Sequence, residues 1–136
     1  MFDLKGVAHF SIPVSDVDRS VKFYTEMVGC KLFGQRPDKG ITFLDAGGVC
    51  VLLIKKPEPI TKGAPESSDG VHHAFIIDAA EYPAAVSALR ANGVDVFFEE
   101  DRRGGVIDGP RAYFRDPDGN TLEYIDRTAY GPAKKK

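Results

Sequence analysis

Apolar and polar residues alternate in eight short segments of the chain, which is the pattern of pleated strands with one buried face. Gly, Pro and Asp separate these segments, and such residues favour turns. The predicted strands lie at 7–14, 31–35, 41–45 and 49–54 in the first half, and at 71–78, 94–99, 111–114 and 120–126 in the second.

Each half also has one segment with apolar residues at helical spacing, placed after its first strand. The first helix is predicted to begin near Val17, with Ser15 or Asp16 as its N-cap, and to end at Gly29. The second is predicted to run from Tyr82 to Gly93, 82–93. The stripe that the first helix should bury consists of Val17, Val21, Tyr24 and Val28.

The order strand, helix, strand, strand, strand therefore occurs twice, which predicts an α+β fold made of two βαβββ modules. The modules are predicted at 6–54 and 71–126, joined by a surface connection at 55–70 that is rich in Pro, Lys, Glu, Ser and Gly. Residues 127–136 should form a flexible tail. The charged, glycine-rich segment 100–110 is predicted to be a mobile loop.

Composition limits the classes of protein that fit this pattern. A length of 136 residues predicts a single domain, and 43% hydrophobic with 28% charged residues is typical of a globular protein. The net charge of −2 argues against nucleic acid or a membrane surface as the main partner. Two cysteines make no disulfide framework, and no apolar run is long enough to span a bilayer. We therefore expect a cytoplasmic protein whose main partner is neither nucleic acid nor a membrane.

Alignment of the two modules places His9 and His72 at matching positions of their first strands. Glu123 lies in the middle of the last strand, where a carboxylate is disfavoured unless it faces solvent or a site. Two imidazoles and one carboxylate can hold a divalent metal and leave coordination positions open. The ordinary alternatives are hydrogen-bonded core histidines and an exposed sheet face. Adjacent His73 points to the opposite face and matches Phe10, so the repeat favours His72 as the ligand.

The segments His72-His-Ala-Phe75 and Phe114-Arg-Asp-Pro-Asp-Gly119, followed by Glu123, resemble those of the vicinal oxygen chelate superfamily. That superfamily includes glyoxalase I, extradiol dioxygenases, fosfomycin-resistance transferases and bleomycin-resistance proteins. The resemblance implies a cupped, eight-stranded mixed sheet with flanking helices, in a homodimer. It also implies a site for Mn, Fe, Zn, Ni or Co in which substrate oxygens bind the metal.

Several positions separate the sequence from particular branches of the superfamily. Glyoxalase I carries a fourth protein ligand where Leu52 stands here, which counts against a site of that kind. The three ligands and Tyr113 resemble the fosfomycin-resistance transferases more closely. Yet Cys50 replaces their pocket Trp, segment 100–110 replaces their Ser-rich loop, and Arg127 lies too early to be their C-terminal arginine.

Four further residues should face the same side as the ligands by alternation. Tyr113 is a catalytic candidate beside Glu123, as a donor of a proton or a hydrogen bond. Ser11, Cys50 and Arg111 are substrate-binding candidates, with Arg111 suited to an anionic group. The alternatives are a solvated charge for Arg111 and a small buried hydrophobic side chain for Cys50.

The leading hypothesis is a metal-dependent enzyme that acts on a small oxygenated metabolite or antibiotic by lyase, isomerase, thiol-transferase or dioxygenase chemistry. The alternative is a non-catalytic protein of the bleomycin-resistance type that sequesters a drug-like ligand. A third possibility is that the modules pack without bringing the ligands together, or bring them together from two chains of a dimer.

Overall fold

A computed structural model of the protein describes residues 2–57 and 71–126. The chain divides into two compact units, Met1–Ile60 and Thr61–Lys136. Residues 58–70 of the predicted connection and the whole predicted tail, 127–136 with Arg127, lie outside the described residues.

Unit 1 contains a four-stranded mixed sheet in the order β1-β4-β3-β2. Strands β1 and β4 are parallel, and the other neighbours are antiparallel. Each strand overlaps a segment predicted from alternation. The strands are β1 (His9–Val14), β2 (Lys31–Arg36), β3 (Ile41–Ala46) and β4 (Val49–Lys55).

The first helix of unit 1 begins as helix α1 (Val17–Lys22) and continues as a π-helical segment, Phe23–Val28. Asp16, rather than Ser15, is the N-cap: its carboxylate accepts a hydrogen bond from the Arg19 backbone N–H at 3.0 Å. Gly29 ends the segment in the left-handed region, at a φ of 100°.

The buried stripe predicted for this helix does not include Ser20, which the structure shows to be fully buried. Ser20 and Tyr24 are fully buried, whereas Val17, Val21 and Val28 are only half-buried at the margins. Hydropathy alone assigns a serine to the polar side. Here its small side chain faces the sheet, where α1 packs against β4.

Unit 2 repeats this topology, with the sheet order β5-β8-β7-β6 and parallel pairing of β5 with β8. The predicted fold class is confirmed: residues 2–57 and 71–126 contain two βαβββ modules, with eight strands in two mixed sheets. The elements of unit 2 are β5 (His72–Ile76), α2 (Tyr82–Ala91), β6 (Val96–Arg102), β7 (Gly109–Arg115) and β8 (Thr121–Ile125).

The prediction of a loop over 100–110 is wrong at both ends. Strand β6 extends to Arg102 and β7 begins at Gly109, so only 103–108 connects them. Two charged residues of this strand are paired with arginines two positions further along the chain. The Arg102 guanidinium lies 3.1 Å from the Glu100 carboxylate, and that of Arg103, the first residue after the strand, lies 3.3 Å from the Asp101 carboxylate.

One face of each sheet is apolar and forms the core, and each fully buried Leu, Ile, Val or Phe there contributes roughly 1.5–3 kcal/mol relative to an exposed side chain. The helices add Tyr24, Val86 and Leu89 to this layer. The apolar strand residues buried on the core faces are Ile12, Val14, Leu44, Val51 and Leu53 in unit 1 and Ala112, Phe114, Leu122 and Tyr124 in unit 2.

The turn between β7 and β8 is organised by the buried carboxylate of Asp116. One of its oxygens accepts hydrogen bonds from the backbone N–H groups of Asp118 at 2.9 Å and Asn120 at 2.8 Å. The other accepts from the Asn120 side chain at 2.8 Å. Gly119 has a φ of 85°, which glycine adopts without strain. The turn fixes the register in which Tyr113 lies opposite Glu123.

Replacing Asp116 by Ala should lower the free energy of unfolding by roughly 2–4 kcal/mol, because it removes hydrogen bonds to a charged acceptor and leaves buried donors unpaired. Chemical denaturation at neutral pH measures the effect. Asp95→Ala, at an exposed position of the same unit, is the matched control and should stay within about 0.5 kcal/mol of wild type. Equal stabilities for the two variants would contradict this role of the turn.

Candidate functional site

Glu123 is a buried carboxylate in the middle of β8, and its side chain is only 4% exposed. Its cross-strand neighbours are Ala74 on β5 and Tyr113 on β7. Directly paired residues share a face of the sheet, so the polar residues around Glu123 lie on the side opposite the core. We call this set the polar face of unit 2; it consists of His72, Glu100, Arg102, Arg111, Tyr113, Arg115, Thr121 and Glu123.

His72 is the histidine that lies beside Glu123. Its Nε2 is 3.4 Å from Glu123 Oε1, and its side chain is 33% exposed. His73 is paired with Leu122, a core residue, and so lies on the other face. Burial, together with the charge of the neighbouring His72, lowers the pKa of His73 below its ordinary value. Of the two adjacent histidines, it is therefore His72 that presents an exposed imidazole next to the buried carboxylate of Glu123.

Arg111 places a buried guanidinium on the other side of Glu123. Its Nη1 lies 3.9 Å from Glu123 Oε2, and both side chains are 4% exposed. The remaining contacts of Arg111 go to the backbone of its own hairpin. Nη2 donates to the Ile107 carbonyl oxygen at 2.6 Å, and Nε donates to that of Gly109 at 3.3 Å.

Tyr113 is held in its neutral form at the centre of the polar face. Burial raises the pKa of its hydroxyl, and the charge of Glu123 and a hydrogen bond to that carboxylate raise it further. The positive charges of Arg111 and Arg102 offset part of this effect. Tyr113 is therefore a protonated hydroxyl, able to donate a hydrogen bond or a proton over the ordinary pH range.

Phe97, Phe98 and Arg102 of β6 lie close to Tyr113, and sequence reasoning did not select them. The Phe98 and Tyr113 ring centroids are 5.5 Å apart, and those of Phe97 and Tyr113 are 6.2 Å apart. Arg102 is bound to Glu100 by two contacts, at 3.1 and 3.3 Å. The alternation of positions 98, 100 and 102 was the available signal, but the many charges in this segment favoured a loop.

Unit 1 contains the other three candidate residues, on one face of its sheet. His9 is paired with Cys50, and Ser11 with Leu52. His9 and Ser11 are exposed, and Cys50 is half-buried. The pairing of Ser11 with Leu52 repeats that of Ala74 with Glu123. Leu52 thus occupies in unit 1 the position that Glu123 occupies in unit 2, and only one unit supplies a carboxylate there.

The donors that unit 2 brings together suit a divalent transition metal. One imidazole nitrogen and one carboxylate oxygen lie on neighbouring strands, and a neutral imidazole with a carboxylate is a common ligand combination for such ions. In neither unit do three His, Cys, Asp or Glu side chains of the described residues form a group of metal-binding size. The third predicted ligand, His9, belongs to unit 1.

Most of the chain matches the model of one protein family. Residues 6–124 match the family model of the Glyoxalase/Bleomycin resistance protein/Dioxygenase superfamily. The chain belongs to this superfamily. The match covers both modules, so the resemblance seen in the sequence motifs is confirmed.

Curated proteins with similar sequences include a glutathione transferase and a metallothiol transferase. The chain is 30% identical over 120 residues to glutathione transferase FosA of Serratia marcescens, with 88% of this chain and 79% of that protein covered. It is 29% identical over 122 residues to metallothiol transferase FosB of Shouchella clausii, with the same coverage.

Solved structures of other proteins share the fold. The fosfomycin resistance protein FosX from Listeria monocytogenes, in complex with Mn(II) and sulfate, has a TM-score of 0.71 at 19% identity. The alignment covers 93% of this chain and 94% of FosX. An integron cassette protein from the Halifax Harbour sewage outfall has a TM-score of 0.72 at 24% identity, covering 90% of this chain and 99% of that one.

Within 2–57 and 71–126, none of the helices has the length and apolar character that a membrane crossing requires.

The two thiols should differ sharply in reactivity. Burial and the nearby Asp45 carboxylate raise the pKa of Cys30 to about 11, and the thiolate is the reactive form. Cys50 is half-buried on the face that also carries His9. Iodoacetamide at neutral pH should therefore modify Cys50 well before Cys30, as measured by mass spectrometry of the digested protein. Cys50→Ser should take up almost no label until it is denatured; rapid labelling of Cys30 in the folded protein would contradict the prediction.

Proposed function

We propose that this protein is a metal-dependent enzyme of the superfamily, in which His9, His72 and Glu123 bind a divalent transition metal. The observation that carries the proposal is the approach of His72 Nε2 to Glu123 Oε1 at 3.4 Å. A buried carboxylate is unfavourable without cationic partners, so its position beside an imidazole and a guanidinium is best explained by a function. The Mn(II) complex of Listeria FosX supports a divalent metal in this fold.

The chemistry of the donor set fits the proposed metal. Two imidazoles and one carboxylate leave coordination positions for substrate oxygens. When bound there, a divalent metal polarises those oxygens and stabilises negative charge on them. His9, His72 and Glu123 supply the ligand atoms, and the neutral hydroxyl of Tyr113 donates a hydrogen bond or a proton to an oxygen that gains charge. Ser11 and Cys50, on the face of unit 1 that carries His9, are proposed to contact the substrate.

Thiol transfer to a small oxygenated antibiotic is the reaction class that we propose first. FosA is named as a glutathione transferase and FosB as a metallothiol transferase. Leu52, in place of a fourth ligand, argues against the glyoxalase I reaction. A homodimer and a cytoplasmic location stay predictions.

Metal content tests the ligand set. Protein purified without a histidine tag or chelator should contain near-stoichiometric transition metal, or bind added Mn²⁺. Glu123→Gln and His72→Ala should weaken Mn²⁺ binding by at least about 100-fold, because each removes a ligand. His73→Ala is the matched control: it changes the adjacent histidine on the other face and should leave the affinity within about threefold.

Two outcomes would contradict the metalloenzyme proposal. Wild-type protein that binds neither Mn²⁺ nor Fe²⁺, Zn²⁺ or Ni²⁺ lacks the site. Loss of metal in His73→Ala equal to that in His72→Ala would place the site on the wrong face. Sequestration would instead be supported if the metal-free wild-type protein and the Glu123→Gln variant bound fosfomycin or bleomycin with the same affinity.

Replacing Tyr113 by Phe should separate turnover from binding. At saturating Mn²⁺ the variant should consume glutathione in the presence of fosfomycin about 10²- to 10⁴-fold more slowly than wild type, because it lacks the proton that Tyr113 retains. Thiol loss measured by a colorimetric assay gives the rate. The control Phe98→Leu preserves the hydroxyl and removes a neighbouring ring. Undiminished turnover in Tyr113→Phe would remove this residue from the mechanism.

A further inference from the structure

The two oxygens of the Glu123 carboxylate have different partners. Oε1 faces His72 Nε2 at 3.4 Å, and Oε2 faces Arg111 Nη1 at 3.9 Å. At 3.9 Å the guanidinium makes an ion-pair contact with Oε2 rather than a hydrogen bond, so it acts on that oxygen through its charge, while Oε1 lies on the side of His72. The pairing therefore distinguishes the two oxygens before any metal binds.

We propose that Arg111 is a positioning residue, whose guanidinium orients the Glu123 carboxylate through Oε2, so that Oε1, on the His72 side, would be the oxygen available to a metal. The inference rests on the proposed function, because it concerns the same carboxylate. It replaces the expectation from the sequence that Arg111 binds the substrate.

The contacts of Arg111 argue against a role in substrate binding. Its guanidinium is 4% exposed, and Nη2 and Nε donate to the carbonyl oxygens of Ile107 and Gly109. An arginine that recognises an anion in bidentate fashion must present two parallel N–H groups to it. Here Nε and Nη2 each direct an N–H group at the backbone of the hairpin, Nη1 lies on the side of Glu123, and the guanidinium is buried away from solvent.

Arginine suits this position because its planar group can contact three partners at fixed angles. The hairpin to which Arg111 is hydrogen-bonded is itself closed by a hydrogen bond from the Gly105 backbone N–H to the Asp108 carboxylate at 2.7 Å. Glu100, the nearby acidic residue of β6, is paired with Arg102 instead. Arg111 therefore connects a structured hairpin to the carboxylate of Glu123.

Titration calorimetry with Mn²⁺ alone tests the inference on the full chain. Arg111→Gln should weaken Mn²⁺ binding about 10- to 100-fold, the usual effect of losing a group that orients a metal ligand. Arg111→Lys keeps the charge but cannot donate hydrogen bonds to both the Ile107 and Gly109 carbonyl oxygens. It should recover at least part of the affinity. The matched control is Arg90→Gln, which breaks an exposed arginine–glutamate pair with Glu99 in the same unit and should change affinity less than about twofold.

Limited trypsin digestion of the 103–108 hairpin separates positioning from a purely structural role. Both Arg111 variants should be cut faster there than wild type, because neither can make both hydrogen bonds to the Ile107 and Gly109 carbonyl oxygens. If the two variants lose metal affinity equally, the loss follows the hairpin and the inference is overturned. If both bind Mn²⁺ like wild type while Glu123→Gln does not, the inference is overturned and the proposed function stands. If wild type binds no Mn²⁺, both fail.

A stability measurement decides the matter if Arg111→Gln does not fold. Glu123→Gln in the same chain removes the buried charge that Arg111→Gln leaves without its partner. The double variant should then melt about 4 °C or more above Arg111→Gln, or fold where the single variant does not. A double variant no more stable than Arg111→Gln would show that the two side chains are not coupled, and would overturn the inference.

Discussion

A buried negative charge in the middle of a strand is the constraint on which unit 2 depends. Transfer of a carboxylate out of water is unfavourable by several kcal/mol or more unless cations and hydrogen-bond donors surround it. Glu123 meets this requirement with His72 on one side, Arg111 on the other and the hydroxyl of Tyr113 opposite. These partners come from both neighbouring strands, so the site exists only when the sheet has its observed register.

Strand β7 carries most of this arrangement, and both of its ends are fixed by polar contacts. At one end the Asp116 carboxylate organises the turn into β8. At the other, Arg111 holds the carbonyl oxygens of Ile107 and Gly109 in the hairpin from β6. The core face of the same strand contributes Ala112 and Phe114 to the apolar layer. Stability and site geometry therefore depend on the same strand through alternate residues.

The two units share one topology but differ in the side chain at an equivalent position of the last strand. Each pairs its first strand in parallel with its last, and Ser11 with Leu52 in unit 1 corresponds to Ala74 with Glu123 in unit 2. The equivalent position is thus apolar in one unit and acidic in the other. A duplicated fold can differ in this way because side chains on the face opposite the core are not constrained by packing in the core.

Local patterns in the sequence were sufficient to predict the strand and helix order, the repeat, and the common face of His72 and Glu123, because periods of two and 3.6 follow from local backbone geometry. The Asp-Pro-Asp-Gly turn was also predictable, from the residues that such turns require. Contacts between distant segments were needed to show that 100–102 and 109–110 are strand, that Ser20 lies in the core, and that Arg111 faces Glu123 while bound to its own hairpin. A charged residue can point into solvent or into an ion pair with equal local propensity. Its partner comes from a strand distant in sequence, and pairing of strands selects that partner.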